Sequence, residues 1–219
     1  MAASARNGAG TMYDTSGERE AIRLELEETR RAFHELLLAA DDEDLGRPSD
    51  GTSWTNRQLL FHMMFGYLVV RALLPLVKAV SRLPVSVGRG FAAALNAATR
   101  PFNCINYWGS VVGSRLYRDQ RMTSRFDAVI AALQRRLARE REANMSCTMA
   151  YPVRWDPFFK DVMTLTNVYH YPTQHFAFHR RQLTLDSPGE TETSAETPRR
   201  RDQEVRHERA RHRDPRRRP

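Results

Sequence analysis

Three histidines crowd the segment HYPTQHFAFHRRQL, namely His170, His175 and His179. His175 and His179 are four positions apart, so on a helix they project from one face with Cβ atoms about 5–6 Å apart, an arrangement in which two imidazoles can share a metal ion. The pair alone also reads as two partly exposed, hydrogen-bonded side chains. His170, five before His175, points partly away from that face. His62 adds a third imidazole from a distant, apolar stretch, where it shares a helical face with Leu59 and Phe65 or Gly66 and should point inward. A buried, unpartnered imidazole costs free energy. One reading of His62 is a core histidine satisfied by hydrogen bonds. The other joins it to His175 and His179, giving three nitrogen ligands that leave at least one coordination position open, as at catalytic divalent sites. Zinc or another first-row divalent ion suits three imidazoles. Gln182, three residues after His179, either orients a ligand or bound water or lies at a helix end in solvent.

Cysteine chemistry offers little. Cys104 and Cys147 are too few for a disulfide scaffold, and no Cys-x-x-Cys spacing exists.

The elements that must position these histidines read as helices, because apolar residues recur at helical spacing and hairpin signals are missing. Helix one is predicted over about Gly17 to Ala40, with Ile22, Leu26, Phe33 and Leu37 on one face, and DDEDLGRPSDG ends it. Helix two starts at Thr55 as N-cap, with Gln58 completing a capping box and Trp54 placed to staple onto Leu59, and runs to about Leu83. Pro84 to Asn103 forms a long helical connection, helix three covers about Ile105 to Asn144, and helix four runs from Asp156 as N-cap and Pro157 at N1 to about Leu185. The expected architecture is all-α: a four-helix bundle with a long helical connection between helices 2 and 3.

Length and charge set the frame. A chain of 219 residues suits one core with an appendage, and a mean hydropathy of -0.59 points to a part that does not fold. Residues 1–16 are expected to be flexible and 17–186 to form the bundle. The stretch 187–219 has ten Arg against seven acids and almost no apolar residue, so a disordered Arg-rich tail is expected. Residues 1–50 carry a net charge of minus six, whereas no acid lies between Asp50 and Asp119 and eight basic residues do. An acidic first helix could lie beside a basic second one, or Arg57, Arg71 and their neighbours could attract an anionic ligand. The N-terminus lacks an apolar stretch of the secretory kind, so a cytoplasmic location is the default. Phe61 to Val80 contains His62, Arg71, Pro75 and Lys78 and reads as a core helix, not a transmembrane segment.

SWTNRQLLFHM, with its Trp, small polar N-cap and His seven residues on, together with HFAFHRRQL, which fits H-x-x-x-H-x-x-Q, resembles the DinB family, the DinB/YfiT-like metalloenzymes. The resemblance spans about residues 17–185, with the Pro84 to Tyr107 connection lengthened. It implies an up-down-down-up bundle holding one divalent ion through His62, His175 and His179. It further implies metal-dependent transfer involving a low-molecular-weight thiol of the mycothiol or bacillithiol type, or activation of water, toward an electrophilic small-molecule substrate. Metal-lowered acidity of the bound thiol or water would supply the nucleophile. A small-molecule partner is expected, a homodimer is one option, and nucleic acid is not expected. The alternative is a non-catalytic binding or stress-response module whose basic tail contacts nucleic acid or a membrane.

Overall fold

The computed structural model describes residues 15–118 and 120–185. Apart from Thr15 and Ser16, which already belong to the first helix, the expected flexible N-terminus lies outside the described residues, as does the Arg-rich tail. Eight helices and one two-stranded antiparallel sheet make up the described part. The helices are α1 (Thr15–Ala39), α2 (Asp42–Gly46), α3 (Asn56–Val80), α4 (Val85–Ala97), α5 (Thr99–Leu116), α6 (Gln120–Arg139), α7 (Glu142–Met145) and α8 (Leu165–Arg180). Between α7 and α8, β1 (Thr148–Ala150) pairs with β2 (Val162–Thr164) in the register Thr148↔Thr164. The fold is therefore all-α in character, as the apolar spacing predicts.

Four helices form the bundle, and their side-chain contacts fix its directions. Arg19 at the start of α1 donates to the Glu140 carbonyl just past α6, and Arg30 and His34 further along α1 reach Asp127 near the start of α6, so α1 and α6 are antiparallel. His170 near the start of α8 meets Glu18 and Glu25 near the start of α1, so those two are parallel. Lys78 at the end of α3 meets Glu140 at the end of α6, making α3 and α6 parallel. The order is up-down-down-up. Two parallel neighbours cannot be joined by a tight turn, so the chain must travel back along the bundle between α3 and α6. α4 and α5 make that return.

The core joins all four bundle helices, with Ile22, Leu26 and Phe33 from α1, Leu59, Met63 and Tyr67 from α3, Phe126 and Ile130 from α6, and Tyr169 from α8 fully or almost fully buried. α1 packs on α6 and α8, leaving α3 diagonal to it. The expectation that the acidic first helix lies beside the basic second is thus corrected. Its carboxylates meet His170 of α8 and its own arginines instead. By length and composition α3 could cross a membrane, and half of its most apolar stretch is buried within the fold.

Three boundaries differ from the sequence reading. The chain leaves the helical conformation at Tyr117 (φ -111, ψ 83), so the single helix expected over 105–144 splits into α5 and α6, and a second break after Arg139 sets off the short α7. No glycine or proline marks the Tyr117 corner; it is imposed by the return path. Helix four begins at Leu165, not near Asp156: Thr164 is the N-cap and Asn167 closes the capping box. Asp156 does cap, accepting from the Phe158 amide at 2.9 Å, but only a turn, after which the chain enters β2. The start of α3 fits the reading, with Thr55 and Gln58 forming both bonds of their box, although the helix ends at Val80.

Candidate metal centre

The chain ends near the site are tied together by one buried amide. Asn56, fully buried in the first turn of α3, donates to the Asp44 carbonyl at 2.7 Å and to the Thr184 hydroxyl at 3.0 Å, and accepts from the Thr184 amide at 3.1 Å. The Asp50 amide donates to the Gln182 carbonyl at 2.8 Å. These bonds dock the residues after α8 onto the entry to α3. Because the two helices run antiparallel, the second turn of α3, with His62, then lies beside the last turns of α8, with His175 and His179.

One ring nitrogen from each of His62, His175 and His179 lies within 4.8 Å of the other two. Ring centroids are 4.9 Å apart for His62 and His175, 4.8 Å for His62 and His179, and 4.4 Å for His175 and His179. Two of the rings have a partner for the nitrogen that faces away. His179 Nδ1 is 2.6 Å from Gln182 Oε1, an acceptor, so it carries the proton and Nε2 keeps its lone pair. The Ser110 hydroxyl donates to the Asn106 carbonyl and stands 3.4 Å from His62 Nδ1. Trp54 stacks on the His62 ring at 4.4 Å between centroids, so the residue before the helix cap serves the histidine.

His175 is held differently. Its Nε2 faces His179 Nε2 at 3.2 Å, and its buried Nδ1 has no hydrogen-bond partner. Gly66 of α3 leaves room for this ring: a Cβ there would lie 3.4 Å from Nδ1. Burial drives all three imidazoles toward neutrality. His62 is lowered to about 3 by desolvation and then by the neighbouring His179. His175 falls well below its usual value for the same first reason, followed by His62 and His179, and His179 is lowered by burial. Three neutral, convergent nitrogen donors are the form in which imidazole binds metal ions.

Asp156 is the polar group that the sequence reading did not place at the site. Its Oδ2 accepts from the Tyr171 hydroxyl at 2.8 Å and lies 3.6 Å from His175 Nε2. This contact is no ion pair at neutral pH, since burial keeps His175 uncharged. Burial also raises the Asp156 carboxyl. A lone acid within WDPFF had to find polar partners, and that was its only signal.

The histidines form one end of a cavity of about 480 Å³ between α3, α4, α5, α8 and the 151–159 loop. No Lys or Arg lines it. Arg57 pairs with Asp42 and Arg71 is exposed, so the expectation that they draw an anionic ligand into the site is not met.

A family model of the DinB superfamily matches residues 25–183, and the chain belongs to that superfamily. No curated protein and no solved structure matches it.

The donor set fits a divalent ion. With its Nδ1–H donating to Gln182, His179 turns its Nε2 lone pair inward, and the 3.2 Å approach of His175 Nε2 to His179 Nε2 uses a single hydrogen bond where a shared cation would satisfy both nitrogens.

Proposed function

We propose that this chain is a divalent-metal-dependent enzyme of the DinB superfamily, with His62, His175 and His179 as the ligands. The observation that carries this reading is the convergence of three imidazoles, two buried and one half-buried, at the polar end of a cavity. When bound, a zinc or similar ion would acidify a coordinated thiol or water, the thiol being of the mycothiol or bacillithiol type that the family resemblance implies.

The protein's own groups do the rest. Gln182 fixes the His179 tautomer, Trp54 and Ser110 hold the His62 ring, and Gly66 gives His175 its place. Asp156, kept in position by Tyr171 and the Phe158 amide, sets a carboxyl oxygen beside the cluster that can accept a proton from an incoming nucleophile. The mainly apolar walls lower the local dielectric, which strengthens each of these polar contacts.

Metal analysis of the purified full chain tests the assignment. About one zinc per chain after loading is expected, with loss of that ion in both His62→Ala and His175→Ala. Full occupancy in both variants, or none in the parent, defeats it.

A further inference from the structure

The cavity differs sharply along its length. From α3 it is lined by His62, Gly66, Val70, Leu73 and Val77, one face of the helix followed for fifteen residues, or about 22 Å at 1.5 Å per residue. The polar side chains gather at the His62 end. Asn106 lies one turn from Ser110, which touches His62, while Asp156 stands beside His175 and Tyr171 is bonded to Asp156. Beyond Gly66, α3 offers the cavity only Val and Leu, faced by aromatic rings from α4, α5 and the 151–159 loop. That far wall is braced. Trp155 stacks on Phe102 at 3.9 Å with 9° between planes and donates its indole N–H to the Leu95 carbonyl at 2.8 Å. With Asp156 the one carboxylate in the lining and no cationic side chain, a carboxylate or phosphate in the apolar limb would have no counter-charge.

We infer that the cavity takes an elongated, uncharged, mainly hydrocarbon molecule whose single polar group sits at the His62–His175–His179 end. This names the substrate class of the proposed enzyme, and it rests on that reading only for what happens to the polar group. Binding of n-alkan-1-ols to the full chain, followed by tryptophan emission since Trp54 and Trp155 are in the walls, tests it with and without zinc. Each added methylene should tighten Kd about fourfold until the limb is full, and Leu73→Trp should shorten the longest chain accepted. A flat series in the parent, or tighter binding of short carboxylates than of alkanols, overturns the inference whether or not the variant folds. Loss of zinc sites with an intact alkanol series would instead overturn the enzyme reading alone.

A separate observation concerns the outer face of α5. Ile105, Trp108, Val112 and Leu116 form a stripe on this helix and are 66%, 57%, 49% and 63% exposed. Arg115 lies beside the stripe, Arg100 sits in the first turn of the helix and Arg118 just past its end, all are exposed, and none has a carboxylate partner among the described residues. Pairing two copies through this face would bring like charges together, with no acid from 51 to 118 to offset them. An apolar stripe on a helix whose only charged residues are arginines fits an anionic lipid surface.

We propose that α5 docks on anionic lipid. The full chain should bind vesicles containing phosphatidylglycerol and not those of phosphatidylcholine alone, with affinity falling at least tenfold in Trp108→Asp and in Leu116→Asp. Vesicle binding that both variants leave unchanged, as the Arg-rich tail alone would give, overturns the proposal. So does a lipid-free dimer that both variants dissociate.

Discussion

α8 presents histidines to two grooves, and the grooves treat them in opposite ways. Toward α1, His170 sits between Glu25 at 2.7 Å and Glu18 at 2.9 Å. Burial lowers its pKa, but the two carboxylates outweigh that and the net shift is upward. Toward α3, His175 meets other imidazoles, and burial followed by those neighbours drives it down. Five residues apart on one helix, the same side chain is a partner for acids in one groove and a neutral donor in the other. The decisive variable is what the facing helix supplies: α1 brings glutamates, whereas α3 brings His62 and a glycine.

The strongest way to break this contrast is to exchange the histidines' fates. Removing His175 should lower zinc affinity by more than 100-fold, since a first-hand ligand matters more than the outer partners whose loss typically costs 10–100-fold. His170→Ala should leave zinc affinity within about twofold of the parent. Isothermal titration of both variants with zinc is the measurement. Equal losses would mean that the two grooves are not distinct.

How far the sequence carries this contrast depends on the kind of signal. The inward trio was legible because His62 falls one helical turn after Leu59 and His175 and His179 share an i, i+4 face. The N-terminus of α3 was legible because Thr55 and Gln58 form a local motif whose bonds close within four residues. The α5–α6 corner carries no breaker, because it is dictated by the parallel placement of α3 and α6 and not by local propensity. The β1–β2 pair is three residues per strand, too short to alternate visibly. Asp156 misled for a physical reason: an Asp-Pro that caps a turn and one that caps a helix make the same local hydrogen bond. Its contact with Tyr171 and His175 depends on docking that local sequence does not encode.

The seam carrying His62 gives the next largest effect. A Cβ at Gly113 of α5 would fall onto the ring of Phe61, a buried side chain of α3. Gly113→Val should therefore destabilise the fold by about 3 kcal/mol, the upper end for overpacking, as read by urea denaturation. A change under about 1 kcal/mol would show that Phe61 has another place to go. Below this comes Gln182→Ala, which frees the His179 tautomer and should weaken zinc binding about 10–100-fold with little loss of stability. Gln182→Glu, which keeps an acceptor, should restore most of it.

The smallest effect lies in the other groove, and pH reveals its sign. His170 has a folded pKa above its unfolded value of about 6.5. Its bonds to Glu18 and Glu25 therefore stabilise the fold fully below about pH 6.5, and the contribution is lost as pH rises through the elevated folded value. Because His170 and both glutamates retain contact with solvent, the difference should be no more than about 1 kcal/mol. Unfolding midpoints of the parent and His170→Gln, compared at about pH 6 and pH 9, should differ in acid and converge in base. A gap that widens with pH would mean that His170 enters the fold neutral, and the two faces of α8 would then be alike.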